Sequence, residues 1–398
     1  MDVLKQRFFP MQNVIQNFAW GSTSSLNTLF GIDNQEGQPQ AELWMGAHPN
    51  GCSQVTVNQE KLNLSELISA DMESVLNAET AKQFGELPYL FKVLAAENAL
   101  SIQVHPSKAQ AEQGYDLENK AGVDVKASNR NYRDANHKPE LVYALTEYDA
   151  MNGFRDYAEI VELFEQVAIS ELGAEVASFK QALNVEGLEQ FFSSILRLEG
   201  DKKQSVLDKL LAYAEANTQE KLFNQIMLLA EQYPGDVGLL SPLMLNLITL
   251  KPGEAMFLDA CTPHAYIKGT ALEIMANSDN VLRAGLTPKH IDVDELVSCT
   301  LFEPKPFDSL LTEAVLSEGG EHYPVPVPDF KFSIYTPTQG VQVEVKSAEI
   351  LMALESDLTL THESGESVSI AMGESVFVPF SSQSYSMQSS GRVARAYN

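Results

Sequence analysis

The chain has 398 residues, 44% of them hydrophobic, with 54 acidic against 27 basic side chains and a net charge of −27. Length and apolar content allow a large core and two or three domains, and the acidic excess argues against nucleic acid or an anionic membrane as partner. No apolar run reaches the ~18 residues that span a bilayer, the N-terminus reads as lacking a signal peptide, and three scattered cysteines (Cys52, Cys261, Cys299) suit a reducing cytoplasm and form no CxxC zinc pair.

In chain order, residues 1–155 read as short strands between turns. "CSQVTVN" alternates, "PYLFKVLAA" is apolar, and "HKPELVYALTEYDAMNGF" is β-branched and aromatic. One helix is expected at "NLSELISADMESVLN", with Ser65 as its cap. In "SIQVHPSKAQ", Gln103 and His105 are two apart, so a strand presents both on one face, and Pro106 ends it. Residues 156–236 change period. Ile160, Leu163, Phe164 and Val167 make one helical face, Leu207, Leu210, Leu211 and Ala214 a second, and Leu222, Ile226 and Leu229 a third. Four or five helices are expected, broken near Gly173, Gly187, Gly200 and Thr218 and ended by "YPGD".

Strands return over 237–306, in "LNLITLKPGEAMFLDACTPHAYI", and residues 307–398 are β throughout, with Gly, Ser and Pro turns. "LKPGEAMFLDACTPH" echoes "IAMGESVFVPFSSQS": Gly253-Glu254 matches Gly373-Glu374, Phe257 matches Phe377, and His264 falls opposite Ser384. The expected fold is therefore mainly β, two related sandwich or jelly-roll domains with an α-helical insertion, and only the first domain keeps a histidine for a metal.

A lone strand histidine is usually structural; company changes the balance. "NYRDANHKPELVYAL" sets Asp134, Asn136, His137, Lys138 and Glu140 at a strand entrance. Gln103, His105, Glu140 and His264 together offer two imidazoles, a carboxylate and an amide oxygen. Zinc accepts His and Glu at roughly 2.0–2.2 Å, and manganese or iron(II) accepts the same mix. "HAYIKGTALEIMANSDNVLRAGLTPKHID" mixes Glu273, Asn277, Asp279, Asn280 and Arg283 with small residues, as expected of a loop-and-strand segment closing over a small ligand. Lys268, Arg283, Lys289 and His290 supply local positive charge that the chain as a whole lacks. Trp20, Glu42 and Trp44 read first as core and support, with one wall of the pocket as the alternative, and His48, His322 and His362 read as surface or structural residues.

The stretches "YRDANHKPE" and "HAYIKGTALEIMANSDNVLRAGLTPK", with "AELWMGAHPNG" and "PYLFKVLAAENALSIQVHP", resemble the type I mannose-6-phosphate isomerases (phosphomannose isomerases), metal-dependent members of the cupin superfamily. The likeness runs from about Met11 to Lys289; beyond residue 310 it is one of general character. The resemblance implies a catalytic cupin made of 1–155 and 237–306, a helical insertion at 156–236, and a C-terminal cupin-like domain without a metal site at 307–398. It implies one zinc ion per chain on Gln103, His105, Glu140 and His264, an active-site Arg283, and a pocket lined by Ser101, Lys138, Tyr266, Glu273, Asp279 and Lys289. It also implies a cytoplasmic monomer acting on a small phosphorylated sugar.

Such an enzyme interconverts mannose 6-phosphate and fructose 6-phosphate by moving a proton between C2 and C1 through an enediol. Lys138 is the first candidate base, because burial and a neighbouring dication both favour the neutral amine. Glu273 is the second, and His137 is a candidate for acid/base help in ring opening. Arg283 and Lys289 suit the phosphate, with holding the enediolate as the alternative, catalytic role for Arg283. Two rivals are an iron-dependent cupin oxygenase and a non-catalytic sugar-phosphate-binding cupin. The cationic cluster speaks against the first; turnover that a chelator abolishes separates the second.

Overall fold

The computed structural model describes residues 5–398. It is mainly β, with a helical insertion. One ten-stranded sheet folds around the segment expected to be catalytic, and nine- and four-stranded sheets form the C-terminal part. Between two paired strands of the ten-stranded sheet, Tyr148–Phe154 and Leu245–Leu250, the chain inserts five helices, Tyr157–Val167, Gly173–Gln181, Val185–Leu196, Gly200–Ala216 and Lys221–Gln232. Gly173 and Gly200 start helices as the sequence suggests, but Gly187 lies inside one, capped by Asn184. A Cβ at Gly187 would sit 1.8 Å from the Ala182 carbonyl oxygen, so glycine is there for close approach and not for a break. The first helix of the "NLSELISADMESVLN" segment, Leu64–Ala70, is capped by Asn63 in a box with Glu66, not by Ser65. No helix among the described residues is long and apolar enough to cross a membrane.

The strand His264–Ala276 organises the site. Its first half pairs with Tyr148–Phe154 and meets Ile102–Val104 at His264; its second half pairs with Tyr89–Ala96 and Glu140–Ala144. The change of partners falls at a register shift between Tyr266 and Lys268, beside Gly269. Gly269 has φ +120°, and a Cβ there would lie 2.3 Å from the Glu147 carbonyl oxygen, so only glycine fits. The extra residue flips the alternation. Before it His264 and Tyr266 face the interior; after it Glu273 and Met275 do. Side chains an odd number of positions apart thus share one cavity.

The β parts are not beads on a string. Strand Phe9–Gln12 pairs on one edge with Ser375–Val378 and on the other with Gln54–Val57, so the C-terminal sheet continues into N-terminal residues. Strand Tyr89–Ala96 is buried on both faces. Its Tyr89, Phe91 and Val93 join Leu141, Tyr143 and Ile274 in one core with Phe330, Phe332, Ile350 and Phe377 of the C-terminal sheet. Phe332 lies 6.1 Å from Phe91 and 5.7 Å from Tyr143, centroid to centroid. Each such buried side chain contributes about 1.5–3 kcal/mol.

The two Gly-Glu turns share their backbone sign, their hydrogen bond and their strand register. Gly253 and Gly373 have φ +94° and +84°. Glu254 accepts the Lys251 amide and Glu374 the Ala371 amide, both at 2.8 Å. The following strands set Leu258 opposite Glu140 and Val378 opposite Glu349. Both glutamates accept a tyrosine hydroxyl at 2.8 Å, Glu140 from Tyr266 and Glu349 from Tyr385. Their cations differ. Glu349 is neutralised by the guanidinium of Arg395, with Nε at 2.9 Å, so this interior supplies its own positive charge. Arg395→Met strands a buried carboxylate. It is expected to destabilise the fold by about 3–5 kcal/mol in denaturant unfolding; an unchanged midpoint would show the pair to be idle.

Candidate active site

A cavity of about 720 Å³ opens between the ends of these strands. His264 and Glu140 line it, and the ring of His105, buried beside them, is 4.9 Å from that of His264. His105 Nδ1 hydrogen-bonds the Asn280 carbonyl at 2.7 Å and His264 Nδ1 that of Thr262 at 2.9 Å. Each Nε2 is thereby left free to accept a cation. Both point at one carboxylate, with His105 Nε2 3.4 Å from Glu140 Oε1 and His264 Nε2 3.5 Å from Oε2. His105 Nε2 is buried and makes no hydrogen bond, an orphan that calls for a partner absent from the protein itself. Ligand atoms of the three residues lie within 4.8 Å of one another, the one such group among the described residues. Gln103 is the strand partner of His264 and lines the same cavity. The strand stops at Val104, one residue before His105. Burial, then the nearby Lys138 ammonium, holds the His105 imidazole down at about 4, so it is neutral and ligand-ready near pH 7. Glu140 sits well below the usual carboxylate range: burial pushes it up, but Lys138 and His105 outweigh that. Donor set, distances and the orphan nitrogen all fit a divalent cation such as zinc.

Around this cluster stand the other expected residues. Lys138 Nζ is 3.0 Å from Glu140 Oε1. The Tyr266 hydroxyl lies 2.8 Å from both Glu140 Oε2 and Glu273 Oε1 and, with one proton, donates to one at a time. Glu273 is raised by burial despite the ammonium of Lys92, whose Nζ donates to Glu273 Oε2 at 2.7 Å. Asp279 accepts from Asn50 Nδ2 at 3.0 Å and lies 3.4 Å from His48 Nε2. Burial raises Asp279, and the pairing with His48 more than offsets it. Ser101, Arg283 and Lys289 also line the cavity.

Several expectations need correction. His137 does not line the cavity; its Nε2 turns to Asp329 of the C-terminal part, 3.0 Å from both oxygens. A ring-opening role has no access to substrate from there. Lys268 is exposed and paired with Glu97 at 3.0 Å, and His290 is an exposed residue away from the lining. Arg133 joins Arg283 and Lys289 on the lining; Arg130 and Lys92 line it too, but each is paired with carboxylates, Arg130 with Glu118 and Lys92 with Glu273 and Glu42. His48, read as structural, is buried and lines the cavity, as do Trp20, Glu42 and Trp44. Lys92 was missed because it sits in the apolar run "PYLFKVLAA"; a lone lysine in a strand buried on both faces was the available signal. Burial draws the Lys92 ammonium down, but Glu273 and Glu42 raise it further, so it stays charged. Arg283 is lowered by burial and by Arg133, and Lys289 by burial, Arg283 and Arg133. Among the described residues none of Arg133, Arg283 and Lys289 makes an ion pair. Three cations without ion pairs thus line one cavity of a chain whose net charge is −27.

A β-fold of this kind, with two imidazoles and a carboxylate converging inside one barrel, defines a metal-dependent cupin. The comparisons carry the assignment further. Residues 8–157 match the profile "Phosphomannose isomerase type I, catalytic domain", residues 163–245 its helical insertion domain, and residues 320–398 "Mannose-6-phosphate isomerase, cupin domain". The mannose-6-phosphate isomerase of Salmonella typhimurium is 47% identical over 388 residues, 97% of this chain and 98% of the relative. The human protein of that name is 37% identical, covering 88% of each chain. A zinc-bound crystal structure of a mannose 6-phosphate isomerase superposes with TM-score 0.94 at 46% identity, covering 99% of this chain and 100% of the other. The chain belongs to the type I phosphomannose isomerase family.

Proposed function

We infer that the chain is a zinc-dependent aldose–ketose isomerase that interconverts mannose 6-phosphate and fructose 6-phosphate, working as a monomer in the cytoplasm. One observation carries the reading: the His105–Glu140–His264 cluster lies at a cavity that three cations without ion pairs also line. One cavity thus offers a place for a metal and a place for a phosphate. One chain supplies every group, which supports a monomer. The metal site belongs to a catalytic unit made of residues 1–155 and 237–306, with the helical insertion and the C-terminal unit as its buttresses.

Gln103, His105, Glu140 and His264 hold the zinc. When bound, the ion draws electrons from the hexose carbonyl and its neighbouring hydroxyl, which makes the C2 proton acidic. Lys138 takes that proton and returns one to C1. Its Nζ stands 3.0 Å from Oε1 of the proposed ligand Glu140, on the lining of the same cavity. Glu273 is the weaker candidate, because Lys92 occupies one of its oxygens and Tyr266 the other. Its role is to balance Lys92 and fix Tyr266, which in turn orients Glu140. Arg283, Arg133 and Lys289 bind the phosphate, Arg by its planar fork and Lys as a point charge. Ser101 and Asp279 line the sugar's path.

A coupled assay for mannose 6-phosphate conversion tests the function. Turnover is expected with zinc and absent after chelation, with recovery on adding zinc back; chelator-insensitive turnover, or oxygen uptake with iron, would contradict it. Arg133→Ala is expected to raise KM for mannose 6-phosphate about tenfold, since a charge-assisted hydrogen bond to phosphate is worth about 1.5–3 kcal/mol. Zinc content should not change. An unaltered KM would remove Arg133 from the phosphate site.

A further inference from the structure

The C-terminal unit sends one side chain to the segment that carries the proposed base. Asp329 is buried, 2% exposed, and accepts a hydrogen bond from His137 Nε2–H with both oxygens at 3.0 Å. His137 immediately precedes Lys138. The earlier part of this segment is held from within the catalytic unit: Asn280 Oδ1 accepts the Arg133 amide at 2.7 Å, and Asn280 Nδ2 donates to the carbonyls of Asp134 and Asn136 at 2.8 and 2.9 Å. His137 is held from the other unit, and beyond Lys138 the Pro139 carbonyl accepts the Ala276 amide at 3.2 Å, so Lys138 stands between the two holds. Asp329 is rigidly presented. Pro324, Pro326 and Pro328 precede it, each with a fixed φ, and Phe330 after it is fully buried in the core shared by the two units. A stiff arm, anchored at its far end, thus delivers a buried carboxylate to one imidazole.

We propose that Asp329 is a positioning residue for the isomerisation: through His137 it sets where Lys138 stands above the metal site. The proposal rests on Lys138 being the base. It also gives the C-terminal unit, whose own interior is closed by Arg395, a part in the reaction. A displaced base costs rate while leaving the metal and the phosphate grip intact. Small misplacements of a reacting group can cost about 100-fold.

The test compares Asp329→Ala, Asp329→Asn, His137→Ala and the double alanine variant, each as zinc-loaded full-length enzyme. Readouts are kcat, KM, zinc content and unfolding midpoint. Asp329→Ala is expected to lower kcat about 10- to 100-fold, with KM and zinc close to wild type. Asp329→Asn keeps a carbonyl acceptor and is expected to restore most of kcat. His137→Ala should lose as much as Asp329→Ala, and the double variant no more than either, because both break one contact. If Asp329→Ala does not fold, His137→Ala, at a partly exposed position, carries the same test. A lowered unfolding midpoint with wild-type kcat in Asp329→Ala or His137→Ala would overturn the proposal and leave a bridge between units that serves stability alone. Losses that multiply in the double variant would overturn it too. Lys138→Ala, assayed alongside, reports on the base assignment separately. If Lys138→Ala turns over normally, the assignment fails whatever Asp329 does.

Discussion

His264→Ala is expected to lose zinc and isomerase activity together, with kcat/KM falling by about 1000-fold or more, because the Lewis acid supplies several kcal/mol of transition-state stabilisation. The size follows from the geometry. The Glu140 carboxylate sits between two imidazoles at 3.4 and 3.5 Å, and each ring is fixed by a backbone carbonyl on its far side. Deleting one ring leaves three of the four proposed donors and a single imidazole. Elemental analysis and the coupled assay read the two losses in the same preparation. Full zinc with normal turnover would refute His264 as a ligand.

Lys138→Ala is expected to keep zinc and lose turnover by about 100- to 10,000-fold, the range for removing a general base. Exchange of the C2 hydrogen of mannose 6-phosphate with deuterated solvent should fall in step, which ties the loss to proton transfer and not to product release. Glu273→Gln is expected to cost less, through a slackened Tyr266 and an under-balanced Lys92, whose remaining carboxylate, Glu42, is 3.6 Å away. Wild-type exchange in Lys138→Ala, with little exchange in Glu273→Gln, would transfer the role to Glu273.

Much of this site was legible because its residues lie in long, distinctive stretches. The Gln-x-His pair, the "NHKPE" strand entrance and His264 after the Gly-Glu turn each announce a local geometry, and the repeated turn foretold two related β units. What stayed hidden depends on tertiary packing. The bulge beside Gly269 shifts the inward face by one residue, and no alternation pattern survives such a shift. Lys92 hides in a strand buried on both faces, where one face packs on the C-terminal sheet and the other lines the cavity. Periodicity sees one buried run and cannot tell the two faces apart. His137 reads as a catalytic neighbour of Lys138, but successive residues of an extended segment point to opposite sides. Its partner Asp329 is 192 positions away, beyond the reach of local patterns. Lys268 and His290 show the converse: charge counted along the chain is not charge delivered to a cavity.

The most direct test of the central claim is anomalous diffraction at the zinc edge from crystals of the purified enzyme. The account predicts one strong peak, within about 2.0–2.2 Å of His105 Nε2, His264 Nε2 and a Glu140 oxygen, with Gln103 completing the protein ligands. A zinc-saturated, active crystal with no peak between these side chains, or with its zinc held elsewhere, would contradict it.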